Sequence, residues 1–251
     1  MQSIRLFTIL WLAGLGGIIS LWWINLPIPE TEELGLPVWG LKLLSFVQPT
    51  ILLSIAVLLG VFLAHKVGLS APLAEAISNK MAISPAIQPQ LLPGMIGGLA
   101  GGIVLTALQW SAKLLLPPNF VMKSEVLSSN TPLFTRLLYG GITEELMLRW
   151  GLMTLLVWIG WRFFQRQAEP STLCFIVAIA LSALLFALGH LPLAFGLETQ
   201  VTASVIGYII VGNSIFGLIA GYLYWRQGLE AAMIAHILVH IIMAIATRLA
   251  P

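Results

Sequence analysis

Long apolar runs constrain this chain more than any other feature. They recur along its whole length, each of roughly 18 residues or more, and a helix of that length crosses the ~30 Å hydrocarbon core of a bilayer. The composition leaves little for a water-facing surface: 59% of the 251 residues are hydrophobic and 9% are charged, against about a quarter charged in soluble domains. The expected fold class is therefore all-α, a polytopic transmembrane helix bundle of about seven spans. They run approximately over Leu6–Ile24, Leu41–Ala64, Leu91–Leu115, Pro132–Phe164, Thr172–Gly189, Val201–Trp225 and Leu229–Leu249. The fourth is too long for one straight crossing, so it is tilted or preceded by an interfacial turn. Trp22, Trp23, Trp39, Trp110, Trp161 and Trp225 fall near span ends, where indole rings favour the headgroup region.

The first apolar run ends in "LWWINLP" without a small-residue cleavage site, so it reads as a retained span. A formal charge of +2 with scattered basic residues gives no reason to expect a nucleic-acid partner. The lone Cys174 sits inside an apolar run and reads as a packing residue. Arg5, Lys66, Lys80, Arg162, Arg166 and Arg226 fall on one side and Lys113, Lys123, Arg136 and Arg248 on the other, with Lys42 and Arg149 within spans. This slightly favours a cytoplasmic N-terminus. In the polar connection His65–Gln90, "LAEAISNKM" reads as a short interfacial helix or a solvated linker. "GGLAGG", Gly97–Gly102, reads as a close-packing helix face, since small residues four apart let backbones approach in lipid.

Against this background the ionisable residues within spans stand out: Glu144, Glu145, Arg149, His190, His236 and His240. Each costs about 2.5–3.5 kcal/mol at the bilayer centre on insertion scales, so each needs a partner or a polar cavity. Residues four apart share a helix face, so Glu145 and Arg149 can pair. Glu144 then points about 100° away and is left for another task. His236 and His240 also share a face, with spacing that suits two donors or two metal ligands. Taken singly, these groups also fit an ion cluster that holds helices together, or a satisfied interfacial histidine. Together, a bare carboxylate and convergent imidazoles are equipment for activating water.

The stretches "EELMLR" (Glu144, Glu145, Arg149), "FALGH" (Phe186, His190) and "HILVH" (His236, His240) resemble the EExxxR, FxxxH and Hxxx-polar signatures of the CPBP family. That family comprises type II CAAX prenyl proteases and bacteriocin-processing or immunity-related (Abi-like) proteins. The resemblance implies an intramembrane endopeptidase acting on membrane-associated proteins or peptides, prenylated ones included, and commonly reached from the cytoplasm. It implies Glu144 as the base that activates water, His190 beside it, and His236 and His240 stabilising the oxyanion. Glu145, Arg149 and Phe186 would be supporting residues. The family usually has Asn where this chain has His240, which keeps a metal role open; the cofactor is unknown, with a divalent ion such as zinc one candidate. Residues 131–251 would form the CPBP-like catalytic core, and 1–130 the N-terminal helices and polar connection. The expected setting is a plasma or other internal membrane, as a multi-pass protein.

Three rivals remain. A non-catalytic membrane scaffold or immunity protein would keep the polar cluster for helix association. A rhomboid-like serine protease would use Ser214 of "GNSIFG" with His236, but would leave Glu144 and His190 unexplained. A proton-coupled transporter would be expected to show an inverted repeat, and none is visible. Aspartyl intramembrane proteases need paired aspartates, and all ten acidic residues here are glutamates.

Overall fold

The computed structural model describes residues 2–24, 37–165, 167–197 and 201–249, and among these it is helical throughout, with no strand. The principal helices are α1 (Gln2–Ser20), α2 (Val38–Leu63), a short α3 (Pro72–Ser78), α4 (Ile83–Leu115) and α5 (Pro118–Asn130). A continuous composite helix over 133–164, here α6, is followed by α7 (Thr172–Gly189), α8 (Leu191–Leu197), α9 (Ala203–Gln227) and α10 (Leu229–Leu249). Among the described residues, six helical stretches are long and apolar enough to cross a membrane: Gln2–Trp23, Val38–Val67, Ile83–Leu115, Thr172–Leu197, Ala203–Gln227 and Leu229–Leu249. Their outward faces are apolar; Leu44, Ile51, Ile55 and Phe62 of α2, for example, all stand exposed. The chain is an integral, multi-pass membrane protein.

The fourth expected span is present but is not one of those six. Its winding changes along its length: π turns over Arg136–Glu144 and Leu146–Met153, α turns over Thr154–Ile159, then π turns over Gly160–Phe164. Two hydroxyls mark the wider turn by reaching carbonyls five residues back: Thr143 Oγ1 donates to Leu138 O at 3.4 Å and Thr154 Oγ1 to Arg149 O at 3.3 Å. π turns are commonly short and found at functional sites. Here the buried Arg149 lies within the second of them, and the buried Glu145 is the single residue between the two.

α4 begins eight residues before its expected start, at Ile83 rather than Leu91. Pro89 and Pro93 lie inside it. Prolines end helices in water, but in a membrane bundle neighbouring groups satisfy the freed backbone. The "LAEAISNKM" stretch does form a short helix, α3, which closes onto the start of α10. Leu229 N–H donates to Ser70 O at 3.1 Å, Ala74 N–H to Glu230 Oε1 at 2.9 Å, and Ala231 N–H to the buried Gln90 Oε1 at 3.0 Å.

The small-residue stripe packs α4 against α10 as expected. A Cβ built on Gly98 would lie 2.8 Å from Leu238 Cβ and 2.9 Å from Ala235 O, so backbone meets backbone there. Gly98→Val should therefore force α4 and α10 apart, with a loss of stability of several kcal/mol, in the range of severe overpacking. Thermal unfolding in detergent would measure it, and an unchanged Tm would contradict the close approach.

Interhelical hydrogen bonds fix the remaining faces. Thr143 Oγ1 donates to Gly14 O at 2.7 Å and Thr135 Oγ1 to Ser20 O at 3.0 Å, seating α6 on α1. Trp150 Nε1 donates to Val57 O at 3.3 Å, tying α6 to α2. These contacts also sort the helix ends by side. Arg5, Lys66, Lys80, Arg162 and Arg226 lie on the side of the N-terminus; Lys113, Lys123, Arg136 and Arg248 lie on the far side. Lys42 joins the far group, because its Nζ donates to Trp22 O at 2.7 Å at the end of α1. Arg166 lies outside the described residues. Among the described residues five basic residues then lie on each side, which narrows the margin behind a cytoplasmic N-terminus.

Candidate active site

α6 brings Glu144 and Glu145 to the centre of the bundle, and their environments differ as the helical offset requires. Glu145 is fully buried at 0% exposure and Arg149 at 1%. Their ion pair closes at 3.1 Å, within a single face of α6. Arg149 Nη2 also donates to Gly217 O at 3.2 Å, and its guanidinium lies 5.0 Å from the Phe186 ring and 5.8 Å from that of Phe216. Cation–π contacts of this kind gain strength where water is excluded.

Glu145 has a further partner that spacing along the sequence does not reveal. His236 Nδ1 lies 2.8 Å from the same Oε1 atom that accepts from Arg149. A carboxylate held by an arginine accepts, so Nδ1 carries the proton. In its neutral form the His236 ring then presents a bare Nε2. His190 is fixed in the same sense: Nδ1 lies 2.8 Å from Phe186 O, and a carbonyl can only accept. Its ring meets that of Phe186 edge-on at 4.7 Å. His240 stacks on His236, with centroids 4.9 Å apart and planes 18° from parallel. Gly140 makes room for it, since a Cβ at that position would collide with His240 Nε2.

Glu144, His190, His236 and His240 line one cavity of about 410 Å³, with Phe186 and Phe216 in its wall. Its size is that of a ligand pocket. The rim on the far side includes Leu21, Ile24, Thr131 and Leu193, and much of the interior is apolar. All four expected catalytic residues thus come together, while Glu145 and Arg149 lie behind them. Ser214 does not line the cavity and shares no hydrogen bond with His236, so the serine arrangement is absent. Arg136, Tyr139 and Asn213 line the cavity although nothing in their spacing marks them out. Arg136 and Tyr139 fall near a span end, where polar residues are common, and Asn213 is uncharged, so none stands out among the ionisable residues of the spans.

As a metal centre the donor set does not fit: among the described residues, no three His, Cys, Asp or Glu side chains gather in a way that would hold an ion. One nitrogen of His236 is already committed to Glu145 and one of His190 to Phe186.

Fold and site together define a multi-pass membrane protein with carboxylate and imidazole groups converging on an intramembrane cavity. Residues 128–242 match the family described as Type II CAAX prenyl endopeptidase Rce1-like, in agreement with the resemblance to the CPBP intramembrane proteases carried by the three signatures. That segment covers just under half of the chain and contains every residue of the signatures. The family indicates a protease, with a protein or peptide substrate and a membrane setting. No curated protein and no solved structure matches the chain.

Proposed function

We propose that this protein is an intramembrane endopeptidase that uses Glu144 as a general base on water to cleave membrane-associated proteins or peptides, prenylated ones included. The observation that carries this reading is the division of labour between adjacent carboxylates. Glu145 is held by Arg149 and His236, whereas Glu144 lines the cavity and has no hydrogen-bond or ion-pair partner among the described residues.

In the proposed reaction a water molecule donates one proton to Glu144 while its oxygen bonds to the scissile carbonyl carbon. His190, with Nε2 bare and its ring pinned to Phe186 O, orients that water as an acceptor. The negative charge that develops on the carbonyl oxygen needs donors. Among the described residues nothing hydrogen-bonds His240 to fix its tautomer, so it can present a donor. His236 adds a second donor there only when Nε2 carries a proton as well as Nδ1, the nitrogen held by Glu145. Glu144 then passes its proton to the leaving nitrogen as the C–N bond breaks. No step is routed through a metal. Residues 131–251 supply this chemistry, and 1–130 supply walls, with Leu21, Leu105 and Leu108 lining the cavity. Because the cavity's rim faces away from the N-terminal side, substrate entry from the cytoplasm would place the N-terminus on the opposite face of the membrane.

The reading is tested by incubating the purified protein with a farnesylated peptide beside a Glu144→Gln control, and position 240 refines it. If His240 is an oxyanion donor, His240→Asn keeps most of the activity, because Asn retains an NH₂ donor but is a poor transition-metal ligand. His240→Ala loses about 10²-fold or more, as oxyanion-donor deletions do. Activity of both variants and their metal content are the readouts. Loss of activity together with stoichiometric metal in His240→Asn would contradict the donor role.

A further inference from the structure

Asn213 carries the one side-chain amide among the described residues of the cavity wall, on the face of α9 that also presents Ile209, Gly212 and Phe216. Its Nδ2 donates to Ile209 O at 2.9 Å, one turn back in the same helix, and this bond pins the amide along α9. Among the described residues its second N–H and its Oδ1 have no partner. The threonine hydroxyls of the wall are already spent: Thr131 Oγ1 donates to Leu127 O at 2.8 Å and Thr135 Oγ1 to Ser20 O at 3.0 Å. Unpaired polar groups in a largely apolar, membrane-embedded cavity cost free energy until a ligand pairs them. Phe216, one turn further along α9, lies against the His236 ring with centroids 4.2 Å apart. Asn213 therefore sits about 4.5 Å along the helix from the wall of the reaction centre. An extended peptide covers ~3.3–3.6 Å per residue, so the amide faces a residue within two of the bond that is cut. The N–H and C=O of such a residue point to the same side, as they do between paired antiparallel strands. In a membrane bundle these backbone groups must find partners in the protein, and a carboxamide, with a donor and an acceptor in one plane, meets both at once.

We infer that Asn213 holds the substrate backbone in place beside Glu144: Oδ1 accepts from one peptide N–H, and the second Nδ2–H donates to the carbonyl of the same residue. This rests on the endopeptidase reading above and adds to it a positioning residue that reads main chain and not side chain. Selection at this point is for an extended backbone with a free N–H, whatever side chain it carries. Asn213 takes no part in proton transfer.

The test is an amide-to-ester scan of a farnesylated peptide. The scissile amide is kept, and one backbone N–H at a time is replaced by oxygen at the positions within two residues of it. The full chain, in detergent or proteoliposomes, is assayed for kcat/KM on each. With the wild type, one ester should fall about 10- to 100-fold below the parent peptide, since it removes a donor, weakens a carbonyl and leaves Oδ1 unpaired. Asn213→Leu, close in volume, should lose a similar factor on the parent, mainly through KM, and lose little more on that ester. A structural role would lower every rate together and leave the ester as poor relative to the parent as before, which overturns the inference. A wild-type scan with no sensitive position overturns it too, and needs no variant to fold; the endopeptidase reading survives both results. Cleavage of no peptide above the Glu144→Gln background overturns both.

Discussion

Glu145→Gln should destabilise the protein by about 3–5 kcal/mol, the cost of removing one member of a buried ion pair and leaving the other charge uncompensated. Arg149 cannot shed its charge, is 1% exposed, and has no second carboxylate within reach among the described residues. The Gly217 carbonyl and two aromatic faces are its remaining partners. The substitution is nearly isosteric, so the loss comes from charge and not from a cavity. Thermal unfolding in a fixed detergent measures it. The double variant Glu145→Gln, Arg149→Met, which removes both charges at similar volume, should recover much of the loss. A Glu145→Gln protein as stable as wild type would mean that the pair is not buried as described.

Glu144→Gln should have the opposite profile, with unchanged stability and a rate lower by about 10²–10⁴-fold, the contribution of a positioned general base. Gln fills the same volume and can still hydrogen-bond to water, but it cannot take a proton from it. Glu144 makes no ion pair among the described residues, so its neutralisation leaves no charge stranded. The contrast matters more than either value. Adjacent glutamates in one sequence motif should separate into one that supports the fold and one that performs the chemistry, as measured by Tm and by turnover.

This separation was half legible in the sequence. The Glu145–Arg149 pair lies within a single helix, so four-residue spacing suffices to place it. The bond between Glu145 and His236 spans 91 positions and depends on how α6 seats against α10. That seating is set by Gly141, where a Cβ would strike the Ile237 side chain, and by the α4–α10 stripe at Gly98. The histidine tautomers follow from those contacts and not from the motif. Hydropathy gave the spans because lipid exposure selects composition directly. It placed the start of α4 late because the stretch 83–90, with Ser84, Gln88 and Gln90, belongs by composition to the polar connection. It also left Lys42 within a span, where packing puts its amine on Trp22 O at the far end. Glu230, buried at the head of α10, is hidden for a similar reason: an acid in a first helical turn looks solvated until α3 folds over it.

On this proposal Glu144 activates water for peptide hydrolysis within the membrane-spanning bundle. This is tested most directly by mass spectrometry of a farnesylated peptide incubated with the purified protein in water enriched in ¹⁸O, beside Glu144→Gln. Two fragments from one peptide bond are expected, with one ¹⁸O atom in the new carboxylate and no fragments above background from the Glu144→Gln protein at equal Tm. Equal fragment yield from both proteins, or an intact peptide with both, would contradict it, and an intact peptide with both would favour a membrane scaffold that keeps the same buried cluster for helix association.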